Sequence, residues 1–231
     1  MPNPLTPELK NHVKSTHLAA LRFRRAIKSF DPARRLDPAD FDFIAEAARL
    51  APSSNGLEPW NIIVLASGEL RAKFVERTGA NAAQAGQASH LVAFTAKTAR
   101  GIDPSGDYLA HIGATVHSMS PEQIEAWRGR FKAFLTNRIG VWGSDDAMFG
   151  YTARQAYLAL ENMIVAAAAI EVDSCPLEGL DYAQATAVLA EAGLIDPALD
   201  AFAVAAVFGY RSEDPKRPQA RRPIGEVVAW A

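Results

Sequence analysis

An α+β sandwich around a mixed sheet is the fold class this sequence predicts, and three observations predict it. Residues 61–66, 91–96 and 202–209 are apolar, partly β-branched runs of strand length, too continuous for a sheet with one face in water. Helical patterns with identifiable start signals separate them. The connections between strands are uneven in length, unlike the regular crossovers of a repeated βαβ fold. A chain of 231 residues, 49% hydrophobic and 22% charged, can build one such domain with its own core. No internal repeat or second domain is visible, so residues 1–231 are expected to form a single unit, with residues 210–231 as a C-terminal arm.

Local chemistry justifies each element. Thr6, Pro7 and Glu8 supply a hydroxyl cap, a proline at the first helical position and an acid at the positive end of the dipole. The helix they start carries Leu9, Val13, Leu18 and Leu21 and reaches about Phe23. Arg24-Arg25-Ala26-Ile27-Lys28-Ser29-Phe30 follows, anchored by Ile27 and Phe30, with three cations projecting from it. A solvated helix end and an anion site both fit that pattern. Asp37-Pro38 starts a second helix with Phe41, Ile44, Ala45, Ala48 and Leu50 as its apolar stripe. Pro52 and Pro59 then bracket small hydroxyl, amide and glycine residues, so the chain before the first strand is irregular and hydrogen-bonded. Ser67-Gly68-Glu69 opens a third helix ending near Thr78-Gly79. A small-residue segment, 80–89, holds Asn81 and Gln84.

Residues 103–106 make a turn and 107–137 read as two helices, the second started by the capping box Ser120-Pro121-Glu122-Gln123. Trp127, Phe131 and Phe134 form a one-sided aromatic stripe on it, which taken alone reads as core. Residues 140–146 are a loop. The longest helical pattern, 147–171, is apolar nearly all round and is expected to be buried on every side, within a monomer or a dimer. A short strand at 172–175 runs into Pro176-Leu177-Glu178-Gly179, and Asp181 with Gln184 caps another helix. The arm is rich in proline and arginine and ends in Val227-Val228-Ala229-Trp230, with too few apolar residues to pack on itself. Crossing to another subunit and ending there as an added strand would satisfy it.

Several function classes are disfavoured. A net charge of −2 gives no reason to expect a nucleic-acid partner. Cys175 is the single cysteine, which excludes an internal disulfide framework and fits a reducing compartment. No signal-peptide pattern opens the chain, and no apolar run is long enough for a bilayer. A cytoplasmic protein without membrane contact is expected. Five histidines without paired spacing argue against a metal site, and no G-x-S-x-G, Walker or G-x-G-x-x-G motif occurs. Cys175 has no flanking positive residue and reads as an inert strand residue. With the usual side-chain catalysts absent, an enzyme of this sequence would rely on a cofactor that carries its own chemistry.

Six segments, in order across nearly the whole chain, resemble the nitroreductase family, nearest its oxygen-insensitive NAD(P)H nitroreductase and dihydropteridine reductase branch. They are Arg24 through Asp31, the P-S-S-x-x-x-x-P-W loop from Pro52 to Trp60, Ala88-Ser89-His90-Leu91-Val92, Phe94-Thr95-Ala96-Lys97-Thr98, Pro176-Leu177-Glu178-Gly179-Leu180-Asp181, and Gly209-Tyr210 with the closing Pro218-Gln219-Ala220-Arg221-Arg222-Pro223. The resemblance implies a three-layer sandwich and a homodimer with exchanged C-terminal arms and FMN at the interface. It also implies ping-pong hydride transfer from NADH or NADPH to flavin N5, then two-electron reduction of a nitroaromatic, quinone or similar planar acceptor.

Residue by residue, the resemblance assigns Arg24 and Arg221 to the FMN phosphate, with Arg25 and Ala26 in the same segment. Lys28 falls beside flavin N1 and O2, where a cation tunes the reduced cofactor. Asn81 and Gln84 fall at the pyrimidine edge. Pro52, Ser53, Ser54 and Gly56 belong to the loop that reaches the flavin from the partner subunit. Pro176, Leu177, Glu178 and Gly179 make the turn whose main-chain N–H, at Glu178, lies near N5. Phe131 and Phe134 stand where the family has aromatic residues over the open flavin face, so gate and core both remain open for them. The sequence departs from the branch at Ala26, usually serine, at Gln84, usually lysine, and at Gln219, usually basic; Gly56 and Glu58 replace a common amide-bearing pair. Two alternatives stay open: a flavoenzyme of the same fold with different chemistry (reductive dehalogenation or flavin cleavage), and a flavin-binding redox-sensing module without turnover.

Overall fold

In the computed structural model residues 5–66 and 68–231 are described. The start signals act as read. Thr6 Oγ1 accepts from the Leu9 N–H ahead of α1 (Pro7–Phe23), and Asp37 accepts from Ala39 ahead of α2 (Pro38–Arg49). A tight turn at Ser54–Gly56 precedes β1 (Trp60–Leu65). Helix α3 (Glu69–Thr78) follows; the expected contribution of Ser67 to its start lies outside the described residues. The small-residue segment contains a helix, α4 (Ala82–Gln87), because Asn81 caps it by accepting from the Gln84 N–H at 3.1 Å. Then come β2 (His90–Lys97), α5 (Asp107–Thr115) and α6 (Pro121–Ala133), the last with both halves of the Ser120–Gln123 capping box formed. Helix α7 (Asp145–Ala169) is capped by Ser144, and β3 (Asp173–Leu177), α8 (Tyr182–Glu191) and β4 (Asp200–Gly209) complete the frame.

The sheet order is β1-β2-β4-β3. The expectation of a mixed sheet needs correction: the described strands pair antiparallel throughout, and parallel pairing is confined to one isolated bridge, Ala26 with Ser174. The physical reason lies in the connections. Helices between strands suggested crossovers, yet α3 with α4, and α8 with the loop after it, go out along the sheet and return to the end they left.

Alternating side chains of β2 and β4 face two separate cores, as a covered sheet requires. Val92, Phe94, Ala96, Val204, Ala206 and Phe208 pack on Ile44 and Ala48 of α2 and on Ala156, Leu160, Met163 and Ala167 of α7. On the other face Leu91, Ala93, Ala205 and Val207 meet Phe74 of α3, Ala85 of α4 and Val188 and Leu189 of α8. A bulge after Phe94, where Thr95 pairs with Phe202, interrupts the register between those strands. Three layers result. A third core, with Leu57, Leu109, Trp127, Phe131 and Tyr151, ties α5 and α6 to α7 and to the loop before β1.

Two further expectations change. The run at 61–66 is an edge strand, with Val64 40% exposed, because β1 pairs with β2 alone among the described residues. Of the two settings expected to bury helix α7, a single chain does not bury it all round. Arg154, Tyr157, Leu158 and Glu161 form an exposed stripe at helical spacing. At the end of this single chain Ile224–Val227 is a short helical turn, followed by Val228 in extended conformation and a nearly fully exposed Trp230; the added strand was expected on another subunit.

Candidate functional site

The basic segment after α1 is fixed by its anchors. Ile27 and Phe30 are buried, Ala26 bridges Ser174, and the Ile27 N–H donates to the Ser174 carbonyl at 3.2 Å. The Gln84 side-chain amide, buried beneath them, donates to the Ile27 carbonyl. With the apolar residues held inward, Lys28 is exposed and Arg24 and Arg25 are half-buried.

Two cavities adjoin this segment. One, of about 550 Å³, is lined by Arg24, Pro176, Gln219 and Arg221 with Leu21 and Glu161. The other, of about 500 Å³, lies between residues 26–29 and residues 213–217. The start of the arm therefore folds back on its own chain. Tyr210 O accepts from Asp31 N, Ser29 and Ser212 exchange a hydroxyl bond at 2.6 Å, and Arg25 donates to the Arg217 carbonyl. Gln219 bonds the Leu21 and Arg24 carbonyls at 3.2 and 3.4 Å. Arg211 fastens the whole by gripping buried Asp173 at 2.6–3.0 Å. Among the described residues Arg24, Lys28 and Arg221 have no carboxylate partner.

Lys28 Nζ lies 3.4 Å from Cys175 Sγ. Cys175 thus has a positive neighbour after all, supplied across 147 residues and invisible in its flanking sequence. Glu178 is exposed, and its carboxylate accepts from the Tyr157 hydroxyl on α7. Burial, that bond and neighbouring Tyr182 push the Tyr157 phenol far above its ordinary range, so it remains a donor.

The Pro52–Pro59 loop is held from several sides. Ser53 Oγ accepts from the Glu58 N–H at 2.8 Å, and the Ser54 N–H donates to Gln155 Oε1 at 2.9 Å. The Tyr108 hydroxyl donates to the Leu57 and Glu58 carbonyls at 2.9 and 2.7 Å. Gly56 adopts φ +63°, and a Cβ there would sit 2.7 Å from His117 Cε1, while His117 Nε2 lies 3.0 Å from the Gly56 carbonyl. The left-handed conformation favours glycine at this point, while the exposed His117 ring could swing aside from a Cβ.

One chain does not bring these groups into a single site. Gln155 holds the loop and Tyr157 holds Glu178. Two residues apart on a helix means about 200° around its axis, so loop and turn sit on opposite sides of α7. Arg24, Arg221 and Pro176 meet in one cavity; Pro52, Ser53, Ser54 and Gly56 do not reach it. Asn81 spends its side-chain oxygen capping α4, and Gln84 faces Ile27. Phe131 is 1% exposed, packed with Phe134 and Tyr151 at ring separations near 6.5 Å, so it is a core ring instead of a gate; Phe134 is half-buried beside it. Tyr108, His117, Gln155 and Tyr157, which set the positions of the loop and turn, escaped the sequence reading. Their contacts span 21 to 101 residues, and no local pattern marks them.

A layered α/β/α frame with Arg24 and Arg221 lining a cavity at one side defines an α+β sandwich, and comparison with known proteins narrows the class. The chain belongs to the nitroreductase family, whose model matches residues 21–210. Among its relatives is the Bacillus subtilis (strain 168) protein named "Putative NAD(P)H nitroreductase YfkO", 39% identical over 94% of this chain and 98% of that one. Among solved structures, the nitroreductase family protein of Streptococcus pneumoniae TIGR4 superposes with a TM-score of 0.72 at 23% identity, covering 93% of this chain and 99% of that one. A nitroreductase from Exiguobacterium sibiricum 255-15, solved in complex with FMN, gives 0.70 at 20% identity, covering 93% and 97%. At these identities the two structures speak to the fold.

Proposed function

We propose that this chain is an FMN-dependent oxidoreductase that takes hydride from NADH or NADPH and passes two electrons to a nitroaromatic, quinone or similar planar acceptor, by a ping-pong route. The observation that carries this reading beyond family membership is the unpaired Arg24–Arg221 pair lining one cavity beside Pro176. A phosphomonoester brings about −1.5 to −2 charges at neutral pH, and guanidinium forks match its oxygens. The donor set therefore fits FMN, which when bound supplies the hydride-accepting and electron-donating chemistry.

The chain's own residues bind and orient. Arg24 and Arg221 hold the phosphate, with Arg25 and Ala26 shaping the cradle around it. Lys28 places an ammonium where the reduced cofactor gains negative charge. Gln84 acts by fixing the Ile27 carbonyl and with it the segment from Arg24 to Lys28, while Asn81 starts the helix that carries it. The turn from Pro176 through Leu177 and Glu178 to Gly179 presents main-chain groups beside the cradle, with Tyr157 holding the Glu178 side chain. Phe134 is the aromatic residue left to border an acceptor.

The loop with Ser53 and Ser54 completes the site only from a second copy. This reading rests on the division by α7 and on unpartnered apolar surface: Leu9 and Val13 of α1, Leu158 of α7, and Ile224, Val227 and Trp230 of the arm. A homodimer with exchanged arms covers these, and the open edge of β1 offers an extended terminal segment a place to pair. No helix among the described residues is long and apolar enough to cross a membrane; we assign the protein to the cytoplasm, with small redox-active substrates and its own second copy as partners.

The test is direct. The purified protein is expected to be yellow, to release FMN on heating, and to oxidise NADH or NADPH when menadione or nitrofurazone is added. A colourless protein that takes up no added FMN overturns the proposal. An FMN-loaded protein without turnover would leave a binding module in its place. Light scattering on a chain truncated from Arg211 tests the dimer, since an intact, FMN-saturated monomer would contradict it.

A further inference from the structure

We infer that the cleft between α3 and α4 binds a small amphipathic monoanion, a carboxylate head on an apolar body. The cleft has a volume of about 570 Å³, with Ala72, Val75, Ala82 and Gly86 as apolar walls and Arg35 and Arg71 at its charged end. It is separate from the proposed cofactor cradle: Gln84, on the same α4, turns to Ile27 instead.

The charged end is unusual. Arg71 is 6% exposed, and its five N–H groups all go to backbone carbonyls: Nε to Ala85, Nη1 to Ala66 and Ser89, Nη2 to Ala85 and Ala88. Arg35 reaches two of the same carbonyls, Ala88 and Ser89, through Nη1 at 3.0 and 3.2 Å. Two guanidiniums thus share acceptors, and neither has a carboxylate partner among the described residues. Buried arginines are ordinarily paired. The crowding leaves its mark: burial, then Arg35, pull the Arg71 guanidinium down to about 10.

The two arginines divide the work. Arg71 has no donor left and contributes charge. Arg35 is exposed, and its Nε and Nη2 groups meet no protein acceptor among the described residues, so it supplies the hydrogen bonds to an anion. The walls ask for an apolar body. Glu76 also lines the cleft and opposes a second negative charge, which selects a monoanion. Gly86 leaves room, since a Cβ there meets nothing within 4 Å.

Calorimetric titration of the protein as purified with octanoate, and separately with 1-octanol, tests this. Octanoate should bind saturably at one site per chain, with octanol about tenfold weaker or more, the loss of a charge-assisted contact. Arg35→Gln should weaken octanoate by a similar factor, and Glu76→Gln should tighten it. Gly86→Leu and Ala72→Trp, which fill the cleft from two different helices at exposed positions, should abolish binding while FMN content and NAD(P)H oxidation stay unchanged. Absence of octanoate binding, equal binding of octanol, or binding that survives both filled variants overturns the proposal.

Discussion

Removing the Tyr108 hydroxyl by Tyr108→Phe isolates what holds the Pro52–Pro59 loop. The ring stays, with Lys97 Nζ 4.8 Å from its centroid, but the carbonyl of fully buried Leu57 loses its donor, while that of Glu58 keeps the Trp60 N–H at 2.7 Å. Burial raises the phenol pKa, with the Glu58 and Asp200 carboxylates adding to it, so the native group donates at any working pH. Because one proton serves two acceptors, at most one full hydrogen bond is lost. Leaving a buried acceptor unsatisfied costs about 1–3 kcal/mol. In a domain of this size each kcal/mol shifts the thermal midpoint by about 2–4 °C, so a fall of about 2–12 °C is expected. The midpoint is read without and with saturating FMN. If the loop serves the cofactor, the rise on adding FMN is smaller in the variant. An unchanged midpoint would refute the clamp, and a lowered midpoint with an undiminished FMN response would refute its link to the cofactor.

Three other outcomes are expected. Lys28→Met should lower the flavin midpoint potential by some tens of millivolts. A charge about 4 Å away at an effective dielectric near 20 is worth about 4 kcal/mol before offsets, and about 30 mV corresponds to about 1.4 kcal/mol for two electrons; an unchanged potential in a spectroelectrochemical titration removes Lys28 from that role. Asp173→Ala leaves the part-buried Arg211 guanidinium with exposed Asp214 as its remaining carboxylate partner and should cost about 1–3 kcal/mol in urea denaturation, the loss of charge-assisted hydrogen bonds, while a loss well below about 1 kcal/mol, the level of exposed pairs, would show that the pair is expendable. His90 is held below the usual histidine range by burial first, then by Arg71 and Arg35. Its unfolded form therefore takes up a proton first, and stability falls as pH drops through about 6.5, by at most about 1.4 kcal/mol per pH unit. Urea midpoints at about pH 7.5 and 5.5 should differ less in His90→Phe than in the native chain.

Helix starts were legible because capping is local: Thr6, Asp37, Ser120 and Asp181 each carry their signal within three residues. The two central strands were legible because β2 and β4 are buried on both faces. Strand direction was not, since nothing in residues 66–89 says whether two helices return the chain to the end of the sheet it left. The exposed stripe of α7 was masked by Tyr157 and Leu158, large apolar residues that stand exposed among the described residues. At the candidate site, the cationic segment and the Pro176–Gly179 turn stood out as motifs. The residues that place them did not, because Gln84 reaching Ile27 or Lys28 meeting Cys175 depends on the assembled sheet.

The sheet order also dictates when this protein can fold. Strand β4 lies between β2 and β3, so β3 has no partner and β2 has only the edge strand β1 until residues 200–209 have left the ribosome. Until then the nascent chain presents an open edge of β2 and an unpartnered β3, the condition under which chains associate wrongly. The pairing of β2 with β4 joins residues more than a hundred positions apart, a slow closure by loop entropy. A ribosome stalled anywhere before Phe202 would therefore release a fragment without a core sheet, and such fragments should depend on chaperones in a way the completed chain does not.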